Sequence, residues 1–67
     1  MDKELFEVMI DDFISESEEM DDFVVDYDSI HYDDDLKTWV AEAKDKKCAY
    51  TLYAHDGDVI IEYDGAL

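Results

Sequence analysis

Hydrophobic positions near the start of the chain recur at spacings of three and four: Leu5, Phe6, Met9, Ile10, Phe13, Ile14 and Met20. That period gathers them on one side of a helix from Asp2 to about Met20. Asp2 suits the N-cap, and Glu4 suits the positive end of the helix dipole. The other side carries Glu7, Asp11, Asp12, Glu16, Glu18 and Glu19, with no lysine after Lys3. Such a face forgoes the Glu–Lys pairs that steady a helix and accepts like-charge neighbours instead. Helix stability alone does not account for it.

The next segment, DDFVVDYDSIHYDDD from Asp21 to Asp35, alternates well enough for a strand from about Phe23 to Ile30. Phe23, Val25 and Tyr27 would share one face, and Val24, Asp26, Asp28 and Ile30 the other. Aspartate is a poor strand residue, so an irregular acidic loop is the alternative. From about Asp34 to Lys47 a helical period returns, with Leu36, Trp39, Val40 and Ala43 at i, i+3, i+4 and i+7. Asp33 or Asp34 would cap this second helix, and Lys44, Lys46 and Lys47 would sit at its negative end.

The last third reads as a hairpin. Two β-rich runs, Cys48 to His55 and Asp58 to Asp64, flank Asp56-Gly57. An Asp-Gly pair in that setting signals a two-residue type I′ turn. The implied register sets Ala54 opposite Val59, Leu52 opposite Ile61 and Tyr50 opposite Tyr63 on an apolar face. The other face pairs His55 with Asp58, Tyr53 with Ile60 and Thr51 with Glu62. The expected fold is therefore α+β: two helices packed on a small antiparallel sheet that ends in a C-terminal β-hairpin. Its order is α-β-α-β-β, or α-α-β-β if the second segment is a loop.

Composition adds one domain and one sign of charge. The 67 residues suit a single small acidic domain spanning 1–67. They hold 21 Asp and Glu against 5 lysines, a formal net charge of -16. High net charge usually goes with disorder, but 48% hydrophobic and 13% aromatic residues, two glycines and no proline predict a folded chain. The field repels phosphate, which excludes direct nucleic-acid binding and docking on an anionic membrane. The chain is too short to build and shield a multi-step active site, so an enzyme acting on a small-molecule substrate is not expected. The single Cys48 excludes an internal disulfide and fits a reducing cytoplasm. The N-terminus does not read as a signal peptide, and no apolar run approaches the ~20 residues of a membrane span.

The acid excess is local as well as global. From Glu16 to Asp35 the chain holds many acids and no Lys or Arg. Solubility asks for a net charge of roughly 2–8 in a small domain. Duplex DNA carries one charge per ~1.7 Å, so sixteen charges match roughly 27 Å of duplex. A compact domain of this length spans roughly 28 Å. The carboxylates could therefore pair with arginines and lysines meant for phosphates.

In size, charge and runs such as DDFISESEEMDD and YDSIHYDDD, the chain resembles the acidic DNA-mimic inhibitors of phages and mobile elements. These include anti-restriction proteins, anti-CRISPR proteins and uracil-DNA glycosylase inhibitors. The families share no motif, so no residue role transfers by position. The resemblance implies a stoichiometric inhibitor occupying the nucleic-acid site of a CRISPR effector, restriction enzyme or DNA-repair enzyme. The residues expected to stand in for phosphates are Asp11, Asp12, Glu16, Glu18, Glu19, Asp21, Asp22, Asp26, Asp28, Asp33, Asp34 and Asp35.

Other chemistries fit less well. A calcium loop starting at Asp26 would meet Ile30, His31 and Lys37 where an oxygen ligand, glycine and glutamate are required. Zinc would have to use Cys48, His31 and His55 without paired spacing. No cofactor or metal is expected. Asp28-Ser29-Ile30 resembles the serine motif of acyl carrier proteins, but a terminal hairpin does not suit their helical bundle. A halophile surface, or an acidic chaperone or antitoxin binding another basic protein, would draw on the same charge.

Overall fold

A computed structural model describes residues 2–17 and 22–67. Helix α1, Lys3–Ser15, is followed by strands β1 (Val24–Asp33), β2 (Thr38–Lys44), β3 (Cys48–His55) and β4 (Asp58–Ala66). The strands form one antiparallel meander in the order β1-β2-β3-β4.

Helix α1 starts where its cap was expected. The Asp2 carboxylate accepts the amide N–H of Leu5 at 2.9 Å. The helix ends at Ser15, short of Met20, which lies outside the described residues. Its last turn holds no basic residue. The run of acids from Asp11 onward opposes the negative end of the dipole, which weakens any continuation. Phe6 and Ile10 are completely buried on the apolar side.

The expected second helix is absent: Thr38–Lys44 is strand β2. Fold class α+β holds, but with one helix and four strands rather than two helices. Asp33, expected to cap that helix, closes a turn instead. One Asp33 carboxylate oxygen accepts the amides of Asp35 at 2.8 Å and Leu36 at 3.0 Å. That pattern opens a helix or closes a turn equally well. Here Lys37 adopts φ 56°, a left-handed conformation that ends the turn. Beyond it Trp39, Ala41 and Ala43 alternate with Thr38, Val40, Glu42 and Lys44. Ala41 and Ala43 are small, buried and on the helix side, and they make room for Phe6 and Ile10 in the core. The expected helix-capping lysines sit elsewhere: Lys44 ends β2, and Lys46 and Lys47 belong to the turn after it.

Strand β1 exists and runs longer than expected. Its alternation is interrupted. Between the pairs Asp26–Glu42 and His31–Val40, residues 27–30 of β1 span the one-residue gap at Ala41 in β2. Such a bulge shifts the parity of everything after it. Val25 and Ile30, expected on opposite faces, are therefore both buried in the core. Ser29 stitches the bulge: its hydroxyl donates to the Asp26 carbonyl at 2.6 Å and accepts the Glu42 amide at 2.8 Å.

The C-terminal hairpin forms in the expected register, from His55–Asp58 through Tyr50–Tyr63. Asp56 (φ 50°) and Gly57 (φ 83°) both take the positive angles that a type I′ turn requires. The β2–β3 turn depends on Asp45, whose carboxylate accepts the amides of Lys47 at 2.8 Å and Cys48 at 2.7 Å. Tyr50 donates its hydroxyl to the other oxygen at 2.8 Å. These contacts hold the Asp45 carboxyl below its usual range, the Lys47 amide contributing most.

The core lies between α1 and one face of the sheet. It comprises Phe6, Ile10, Val25, Ile30, Ala41, Ala43, Leu52 and Ala54. The register places Glu42, Thr51 and Glu62 in a row on the other face, with Val40, Tyr53 and Ile60 beside them.

Candidate functional site

The described acids expected to mimic phosphate fall into three groups. Asp11, Asp12 and Glu16 are exposed at the C-terminal half of α1 and its cap. Asp22, Asp26 and Asp28 are exposed at the start of β1 and in its bulge. Asp33, half-buried, and the exposed Asp34 and Asp35 form the turn between β1 and β2. Glu18, Glu19 and Asp21 lie outside the described residues.

Two of these groups lie along one sheet edge. Strand β1 is one of the two outer strands of the meander. Asp22, Asp26, Asp28, Asp33, Asp34 and Asp35 follow it from one end to the other. Val24 pairs with Lys44 and Asp33 with Thr38, so β1 spans six residue steps of β2. That is roughly 20 Å, or about 25 Å with the flanking turns. Six carboxylates over that length give one per about 4 Å, against ~3.4 Å per phosphate along one DNA strand. The bulge produces this density, because it folds ten residues of β1 into the length of seven.

The helical group is tied to the same edge. Tyr27, in the bulge, donates its hydroxyl to the Asp11 carboxylate on α1. The phenol is pushed up to about 12 by partial burial first, then by this bond and by the negative charges of Asp11 and Glu7. Tyr27 thus holds two acidic elements side by side against their repulsion.

Not every acid is free for a partner. Asp33 spends one oxygen on its turn, and Asp26 accepts the Asp28 amide at 3.1 Å within the bulge. Asp22 pairs with Lys46 across 3.5 Å, an exposed contact of the kind worth little.

The structure also reveals acids that the sequence reading had not included. Glu42 stands directly across from Asp26, and Thr51 from both Glu42 and Glu62. Like charges directly opposite are destabilising in a sheet, yet Asp26 and Glu42 are paired so. Thr51 donates to Asp64 at 2.6 Å, and Tyr53 reaches Glu62 at 3.4 Å. Glu62 was visible opposite Thr51 from the hairpin register. Glu42 was hidden by assigning its segment to a helix.

The two turns at one end of the sheet enclose a cleft of about 410 Å³, lined by Tyr32, Leu36, Lys37, Trp39, His55 and Gly57 among others. Tyr32 and Trp39 meet edge to face with ring centres 5.7 Å apart. Among the described residues, no group of three or more His, Cys, Asp or Glu is placed to hold a metal ion. None of their helices is long and apolar enough to cross a membrane. The chain matches no known protein family, no curated protein and no solved structure, so the site is read from its own geometry.

Proposed function

We propose that this protein is a DNA-mimic inhibitor that blocks the nucleic-acid-binding site of a host defence or DNA-processing protein. A CRISPR effector or a restriction enzyme is the favoured target. It acts by electrostatic and steric occlusion, without turnover, and within the cytoplasm. The observation that carries this reading is the file of aspartates along the β1 edge, whose average linear density, about one per 4 Å, approaches the ~3.4 Å per phosphate of a DNA strand. They are mounted on a strand and its turns, with Asp11 held alongside through Tyr27. A preorganised array costs less ordering on binding than a flexible acidic tail. Its longest dimension, 29 Å, is close to the roughly 27 Å of duplex that carries the same sixteen charges.

The test is displacement of labelled duplex from a purified CRISPR effector or restriction enzyme. The protein should release the duplex at near-equimolar ratio, and its own direct binding to the target should weaken as salt rises. Asp28→Lys combined with Asp35→Lys should weaken release at least tenfold at physiological salt. These two positions are chosen because the local turn bonds run through Asp26 and Asp33 instead. Asp12→Asn alone should change it less than threefold. Binding that leaves the duplex in place would refute the mimicry reading and point to an acidic chaperone.

A further inference from the structure

We infer that the cleft between the two turns at the end of the sheet takes an arginine side chain of the protein target. This deepens the inhibitor reading and rests on it, for it names where the partner is anchored. The cleft is bounded by the turn after β1 and the turn between β3 and β4. Two of its apolar side chains are left open to solvent, Tyr32 at 49% and Leu36 at 55% exposure. Beside the Tyr32–Trp39 ring pair they give the cleft an apolar wall that a partner side chain would cover.

The surrounding charge selects the occupant. Asp56 lines the cleft, Asp34 and Asp35 belong to the turn that supplies Leu36, and Asp58 opens β4 beside it. Of these acids Asp56 alone lines the cleft, where its carboxylate lies 3.3 Å from the His55 ring; over the two turns together the four exposed acids outnumber Lys37 and His55. An aromatic wall rimmed by carboxylates suits a guanidinium, which stacks on rings and pairs with acids at once. Lysine fits less well, because its compact ammonium holds water more tightly. A second copy of this chain would bring another sixteen negative charges to the same rim. The arginine-bearing loops of a nucleic-acid-binding protein carry the complementary charge.

Trp39 lines the cleft and is the only tryptophan in the sequence, so its fluorescence reports on this place. Hexa-arginine and hexa-lysine peptides are titrated into the intact protein at physiological salt and pH 7.5. Hexa-arginine should shift Trp39 emission at lower concentration than hexa-lysine. Tyr32→Ala, which changes no charge, should weaken the hexa-arginine response about tenfold. Asp56→Asn should weaken it more than Asp12→Asn, at equal cost in charge. Asparagine tolerates the positive φ at position 56, so the turn survives that change.

Equal responses to both peptides, unaltered by Tyr32→Ala, would overturn the inference and leave only diffuse cation binding. An emission change that follows protein concentration without peptide would assign the cleft to a second copy and also overturn it. In the duplex-displacement assay, Tyr32→Ala with Leu36→Ala separates the two proposals. Full activity of that double variant defeats the cleft while the inhibitor reading stands. No displacement by the unaltered protein defeats the inhibitor reading, and the peptide titration still decides the cleft.

Discussion

Tyr27 illustrates how one side chain can serve two demands in a molecule so rich in acids. Its hydroxyl must remain protonated to donate to Asp11. In the folded state the phenol ionises at about 12 rather than 10, through partial burial, the bond to Asp11 and two nearby negative charges. A group raised in this way stabilises the fold fully below pH 10, and the contribution disappears as pH rises through about 12. Tyr50 is likewise held up to about 12, chiefly by its bond to Asp45. Absorbance titration of the five tyrosines should therefore show a late component near pH 12. Tyr27→Phe should remove part of that component and Tyr50→Phe another part. A Tyr27→Phe curve that loses only signal near pH 10 would show that the bond to Asp11 is not made in solution. The residue scale also shows which acids have a structural task of their own. Asp2, Asp33 and Asp45 each accept backbone amides at the start of an element or turn. A short carboxylate is favoured there for geometry, before any role in charge.

At the scale of elements, the fold rests on very few large side chains. Among the described residues, Phe6, Ile10 and Leu52 are the large ones with no exposure at all, and they join α1 to the middle of the sheet. Phe6→Ala should cost about 3–5 kcal/mol and Leu52→Ala about 2–5 kcal/mol. A 67-residue domain has roughly 3–10 kcal/mol in total, so either change removes a large share of it and should lower the melting temperature steeply. Leu5→Ala and Val8→Ala, on the same helix but exposed, should stay within about 0.5 kcal/mol. Thermal melts followed by circular dichroism distinguish the two sets. The same elements show what was legible in advance. The β3–β4 hairpin could be read from its turn out to the Tyr50–Tyr63 pair because turn chemistry and alternation agreed with each other, while the register shift at Ala49 and the continuation of β4 to Ala66 could not. Helix α1 and its Asp2 cap could be read from a single apolar stripe. Strand β2 could not, because Asp33 offers the same two acceptor bonds to a turn as to a helix. Its alanines suit a helix in isolation, and what sets them in a strand is the need to fit beneath Phe6 and Ile10. The parity of β1 was lost because nothing in Tyr27-Asp28-Ser29-Ile30 announces a bulge until Ser29 finds the Glu42 amide across the sheet. The acidic edge was thus visible as composition, while its near-phosphate linear density required that bulge.

At the scale of the whole molecule, the charge pulls stability and binding in opposite directions as salt changes. At 0.01 M salt the screening length is about 30 Å, similar to the molecule's longest dimension of 29 Å. Every carboxylate then repels every other one, and the compact state is penalised relative to the expanded chain. At 1 M the screening length falls to about 3 Å, and only immediate neighbours such as Asp26 and Glu42 still interact. The melting temperature should therefore climb steadily between these limits, while direct binding to the target becomes weaker over the same range. A surface adapted only to a saline environment would share the first trend without the second, for it has no basic partner to lose. A melting temperature independent of salt would mean that self-repulsion is already relieved in the native fold. The layout along β1 would then be no costlier than a mixed-charge surface, and the argument that it is retained for a partner would lose its energetic basis. Measured together on one preparation, the two salt profiles test whether the acids are tolerated by the fold and used in binding.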